Sequence, residues 1–148
     1  MPVLTTDEGA VFAEAHLILR YLDEIAEPRV FPADDLARTL EIAAPALGAI
    51  EASTAIMIGR KSSVDFDGDM VGKKRFRTIA SGLAFLDANL PRHFEERADI
   101  ANIAAVTLID YVILRFPERG FLSDLPALNA WRERQAGHPA VEKTMPFA

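Results

Sequence analysis

The sequence predicts a mostly α protein that opens with a short ββα unit, and three observations carry that reading. Two brief apolar runs flank an Asp7-Glu8-Gly9 turn and lead without a gap into a helix. Further stretches then repeat apolar residues at the three- and four-residue spacing of a helix. One of them, residues 98–116, is apolar nearly all round, which marks a helix buried in the middle of a bundle.

In chain order, strands are expected at about 2–5 and 10–12, joined through the turn at Gly9. A helix follows over 14–25, with Leu17, Ile18, Tyr21, Leu22 and Ile25 forming one buried stripe. Residues 26–32 read as a linker, because Pro28 and Pro32 stop a helix and favour extended backbone. Asp34 or Asp35 is expected to cap a long helix over 36–60. Its apolar positions include Ile42, Ala46, Leu47, Ile50, Ala55 and Ile58. Pro45 inside it removes a backbone bond and is expected to kink it, while Gly48 and Gly59 weaken it further.

A polar loop over 61–68 precedes a helix over 69–90, with Phe76, Ile79, Ala80, Leu83, Leu86 and Leu90 on one face. Pro91 ends it. Pro117 and Gly120 close the buried helix. A short amphipathic helix over 125–135 carries Trp131, Gly137-His138-Pro139 breaks it, and 140–144 form a last turn.

Composition narrows the function. With 148 residues, 50% apolar and 26% charged, the chain is an ordinary globular protein large enough for a core. A net charge of −6 argues against nucleic acid as a partner. The densest basic stretch, Lys73-Lys74-Arg75-Phe76-Arg77, reads as a solvated helix face. Without cysteine there is no disulfide, thiolate nucleophile or Cys-based metal site. No long uncharged apolar stretch and no signal-peptide pattern is present, so no membrane partner is expected and the simple reading is soluble and cytoplasmic.

Few side chains stand in a catalytic pattern. His16, His93 and His138 are isolated, so no metal site is expected. Ser62, Ser63 and Ser123 have no His in a motif context, which leaves a Ser-His-Asp enzyme unsupported. The run Asp65-Phe66-Asp67-Gly68-Asp69 has the outline of a calcium loop, but Phe76 stands where the loop's final glutamate belongs. It reads as a loop and helix cap. Arg60 and Lys61 read as solvated surface.

The order Pro2-Val3-Leu4, then Asp-Glu-Gly, then Glu14-Ala15 opening a helix that ends in Tyr21-Leu22, resembles the last part of the thioredoxin-like domain of glutathione S-transferases. The closing pattern Tyr111, Arg115-Phe116-Pro117, Leu125-Pro126-Ala127-Leu128-Asn129-Ala130-Trp131 and Gly137-His138-Pro139-Ala140-Val141 is similar to the end of that family's helical domain. The likeness runs from Pro2 to about Pro146 and is nearest to a bacterial subgroup. It implies a partial thioredoxin-like segment over 1–27 and the family's C-terminal helical bundle over 28–148.

The resemblance also implies a ligand, glutathione as co-substrate. Pro2, cis in the family, and the Val3 backbone would line it. Glu14 would take its amino group, and Ala15 would give an amide to its carboxylate. A helix start suits that carboxylate. The family has Ser at position 15, and the missing hydroxyl forgoes a bond worth ~1.5–3 kcal/mol. The plainer reading is that Glu14 only complements the helix dipole. At the buried helix, the family's Ser/Thr N-cap is replaced by Glu96, a poor cap, so Asp99 alone would receive amides there.

The family joins glutathione thiolate to electrophilic small molecules, using a Ser, Cys or Tyr that would precede Pro2. No catalytic residue is therefore assigned, and this chain by itself is expected to be inactive. The family also implies a homodimer. The alternative function is a non-catalytic helical module for dimerisation or protein contact. A third possibility is that Met1 is a misread start, in which case the upstream coding sequence would continue in frame through ~50 codons of β-α-β pattern.

Overall fold

The structure is a computed structural model that describes residues 2–146. Strand β1 (Val3–Thr5) pairs antiparallel with β2 (Val11–Ala13), in the register Val3 with Ala13, Leu4 with Phe12 and Thr5 with Val11. The turn needs Gly9, whose φ is +86°. Its amide donates to the Thr6 carbonyl at 2.9 Å, and the Thr6 amide to the Ala10 carbonyl at 2.9 Å. Leu4 and Phe12 are half-buried, whereas Val3, Thr5 and Val11 face outward. Phe12 meets Tyr21 of helix α1 (Ala15–Ile25) edge-on, with ring centres 5.0 Å apart.

The expected buried stripe on α1 forms only in part. Ile18 and Tyr21 are half-buried, but Leu17 is 61% and Ile25 63% exposed, because the small hairpin covers one flank of the helix. The one fully buried residue of α1 is Asp23.

Residues 26–35 then lead to α2 (Leu36–Ser62), which runs on through Pro45 without interruption. The cap expected from Asp34 or Asp35 does not form. Asp35 holds the N-cap position, but its carboxylate bonds Arg92 at 2.5 Å and Asp34 bonds Arg97 at 2.9 Å. The face of α2 that enters the core is Ile42, Ala43, Ala46, Ala49, Ala52, Ser53 and Ile56, while Ile58 is exposed. Alanine on this face lets a neighbouring backbone come close. A Cβ added at Gly82 of α3 (Met70–Ala88) would lie 2.9 Å from the Pro45 carbonyl oxygen.

A 3-10 turn (Phe66–Gly68) precedes α3, and Asp69 caps that helix by accepting from the Gly72 amide at 2.6 Å. The Phe66 ring lies on Gly59. Ile79, Leu83 and Leu86 of α3 are buried and Ala80 is exposed.

Helix α4 (Ile100–Arg115) sits centrally, with Ile100, Ala101, Ala104, Ala105, Val106, Leu108, Ile109 and Val112 buried. Its start differs from the expectation at Glu96. Asp99 is the N-cap and forms a capping box with Asn102, whose side chain accepts from the Asp99 amide at 3.0 Å. Glu96 lies exposed in the preceding turn.

Helix α5 (Pro126–Gln135) closes the core with Leu128 and Trp131, and α6 (Pro139–Glu142) adds a last turn capped by His138. The Trp131 indole N–H donates to the Pro91 carbonyl at 2.8 Å, so the ring is buried with its polar atom satisfied. By length and composition α2 is long and apolar enough to cross a membrane, and in the structure one face of it packs on α3 and α4.

Candidate functional site

The hairpin sets the geometry of the candidate site at the start of α1. Val3 lies opposite Ala13, and continuing that register one step sets Pro2 opposite Glu14. Pro2, Val3, Glu14 and Ala15 are thus brought to one end of the hairpin. The Met1–Pro2 bond, cis in the resembling family, lies outside the described residues.

Glu14 has φ 90° and ψ 120°, a conformation that costs a non-glycine residue of order 1–3 kcal/mol. Its Oε2 accepts from the His16 amide at 3.1 Å and the Leu17 amide at 3.4 Å, which caps the helix. Glu14 thus serves as the N-cap of α1. Its Oε1 has only His16 Nδ1, at 3.6 Å, and Glu14 is exposed. Among the described residues the Ala15 amide makes no hydrogen bond.

At the far end of α2 the structure corrects the expectation for Arg60. The side chain is not solvated surface. Its guanidinium meets Asp67 in two bonds of 2.9 and 2.7 Å, and Glu118 at 3.2 Å. Arg119 adds a 2.7 Å bond to Asp67 and lies 3.9 Å from the centre of the Phe76 ring, while Arg60 lies 5.1 Å from that of Phe116. The Arg60 hydrogen bond holds the Asp67 carboxyl below its ordinary range, and the Asp67 bond raises Arg60. These charges satisfy one another, so the cluster ties the α2–α3 turn to the segment after α4. The signal for it, Asp67 seven residues after Arg60 inside an acidic loop, was open to reading as a cap. Lys61 is exposed, as expected.

Two of the three histidines serve structure. His93 stacks on Trp131 and bonds Gln135, and His138 caps α6 beside Phe94. Among the described residues no group of three His, Cys, Asp or Glu is placed to hold a metal. An apolar cavity of about 230 Å³ lies under Phe116 and Phe121, and a cleft of about 380 Å³ separates α1 from α2 near Phe31 and Leu40.

No family model matches the chain, and no curated protein does. Solved structures do. A glutathione transferase family member from Pseudomonas fluorescens Pf-5, with bound glutathione, superposes with a TM-score of 0.84 at 26% identity, over 100% of this chain and 74% of that one. The chain has the fold of the glutathione transferase family and is similar to its members.

A second member of this fold, the glutathione S-transferase of Methylobacterium radiotolerans in complex with glutathione sulfonate, gives a TM-score of 0.83 at 23% identity, over 100% and 73% of the two chains. A third, from Methylobacillus flagellatus with glutathione bound, gives 0.83 at 20%, over 99% and 76%. In this fold, α2 to α6 match the C-terminal helical bundle of glutathione transferases, and β1, β2 and α1 match the ββα portion of their thioredoxin-like domain.

Proposed function

We propose that this chain binds glutathione at the hairpin end of α1 and serves the family's reaction, conjugation of glutathione to electrophilic small molecules. The observation that carries the reading is Glu14. A glutamate at φ 90°, where glycine would sit without strain, leaves one carboxylate oxygen with only His16 Nδ1 at 3.6 Å, and the Ala15 amide makes no hydrogen bond among the described residues. Glu14 takes the γ-glutamyl ammonium, the Ala15 amide takes the adjoining carboxylate, and Pro2 and the Val3 backbone line the ligand. The part that binds glutathione ends near residue 27, and residues 28–148 supply the helical domain.

No described hydroxyl is assigned to hold the thiolate, so the chain by itself does not conjugate. Its glutathione binding is read as weak, since the helix start lacks a serine hydroxyl at Ala15. In titrations with glutathione, the amide signals of Ala15, His16 and Leu17 shift at millimolar concentrations, and Glu14→Ala abolishes the shifts. Unchanged spectra at those amides refute the reading, and protein-dependent conjugation lost in Glu14→Ala refutes the inactivity.

A second reading, a non-catalytic module that acts by dimerisation, is favoured by the outward apolar residues Val3, Val11, Leu17 and Ile25. On it, sedimentation gives a homodimer at micromolar concentration that weakens when residues 1–13 are deleted, and a clean monomer sinks it.

A further inference from the structure

We infer that Asp23 is a positioning residue for the glutathione site, a buried latch that fixes the orientation of α1 on the helical bundle. The inference rests on the glutathione reading above and names what holds that site in place.

Helices of a bundle are normally held by shared apolar contacts. The buried core here draws on α2 to α6 and the segment before α4, and no residue of β1, β2 or α1 belongs to it. Along α1 the apolar side chains are exposed or half-buried, and the one buried residue is a carboxylate. The Asp23 side chain is 1% exposed. Such a group remains in place only when its oxygens are bonded. Oδ1 accepts from the Val30 amide at 2.5 Å and the Phe31 amide at 3.2 Å, and Oδ2 accepts from Arg20 at 3.2 Å.

Both amides belong to the linker, and the linker is bonded onward. The Val30 carbonyl accepts from the Ile100 amide at 2.9 Å, at the first residue of the buried helix α4. Phe31 packs against the core. A continuous path of bonds therefore runs from α1 through one carboxylate to the start of the central helix. Arg29, which bonds Glu24 at 2.9 Å, and Arg20, which also pairs with Glu24, brace the same joint from outside.

The geometry makes α1 a lever. Ala15 lies eight residues above Asp23, ~12 Å along the axis at the helical rise. A tilt of ~10° about the latch moves the Ala15 amide by ~2 Å, at the helical rise used above. Binding constellations tolerate roughly 0.5 Å, so a loose latch is felt at Glu14 and Ala15 even though neither touches Asp23.

The test uses the full chain, glutathione as probe, and three proteins: wild type, Asp23→Ala and Asp23→Asn. Amide hydrogen exchange is read at α1 and at Leu108 and Ile109 of α4, alongside the glutathione dissociation constant from amide shifts. Asp23→Ala is expected to speed exchange across α1 at least tenfold, to change α4 less than about twofold, and to weaken glutathione roughly tenfold. Asp23→Asn keeps an acceptor for the linker amides and restores binding to within about threefold.

Equal exchange in α1 of wild type and Asp23→Ala overturns the latch, as does equal glutathione affinity. A parallel loss of protection in α1 and α4 also overturns it, because the residue then serves the whole fold. If the wild type itself binds no glutathione, the binding reading fails, and the latch stands or falls on the α1 exchange alone.

Discussion

The contact between α2 and α3 gives a prediction whose sign differs at two glycines on facing helices. A methyl group added at Gly48 meets nothing within 4 Å. Replacing a helical glycine by alanine gains about 0.5–1 kcal/mol, so Gly48→Ala should stabilise by that amount. At Gly82 the same methyl would lie 2.9 Å from the Pro45 carbonyl oxygen and 3.0 Å from the Ala49 Cβ, well inside the ~3.5–4.0 Å of relaxed carbon contacts. Backbone must give way on one side, and overpacking of a buried contact costs about 1–3 kcal/mol. Set against the same propensity gain, Gly82→Ala should lose about 1 kcal/mol. The two variants then differ by roughly 2 kcal/mol, or about 1 M in urea midpoint at a slope near 2 kcal/mol per M. Trp131, the single tryptophan and fully buried, reports the unfolding by its fluorescence. Two stabilised variants would refute the reasoning, since α3 could not then press on α2 at Pro45.

Other expectations follow from the same packing. Leu108→Ala, in the centre of α4, should cost ~2–5 kcal/mol, and Lys73→Ala on the exposed face of α3 should stay within ~0.5 kcal/mol, both by urea denaturation. Asp67 has its carboxyl held low by Arg60, so its contribution is full above the ordinary aspartate value of about 3.9 and is lost as pH falls through the lower folded value. Acid titration of stability should therefore be steeper below about pH 4 in the wild type than in Asp67→Asn. Glu14→Gly removes the backbone strain at φ 90° and loses little as a cap, so exchange in α1 should slow by a few-fold while the glutathione shifts disappear.

Local pattern alone located the hairpin, the helices and the most buried of them, because apolar period and chain-breaking residues act within a few positions. It also placed Glu14 and Ala15 at a helix start, which is a local property. Where charged side chains go is a different matter. Asp34 and Asp35 looked like caps, yet arginines 63 and 57 residues away in sequence take their carboxylates. Arg60 looked solvated until the turn after α4 brought Glu118 and Arg119 to it. Asp23 reads as one more polar residue on an amphipathic helix, and only the return of the linker over it makes it the buried member of α1. An apolar residue gains from any covered surface, so its fate is written in periodicity. A charged one is settled by the particular donors that the folded chain brings within about 3 Å of it.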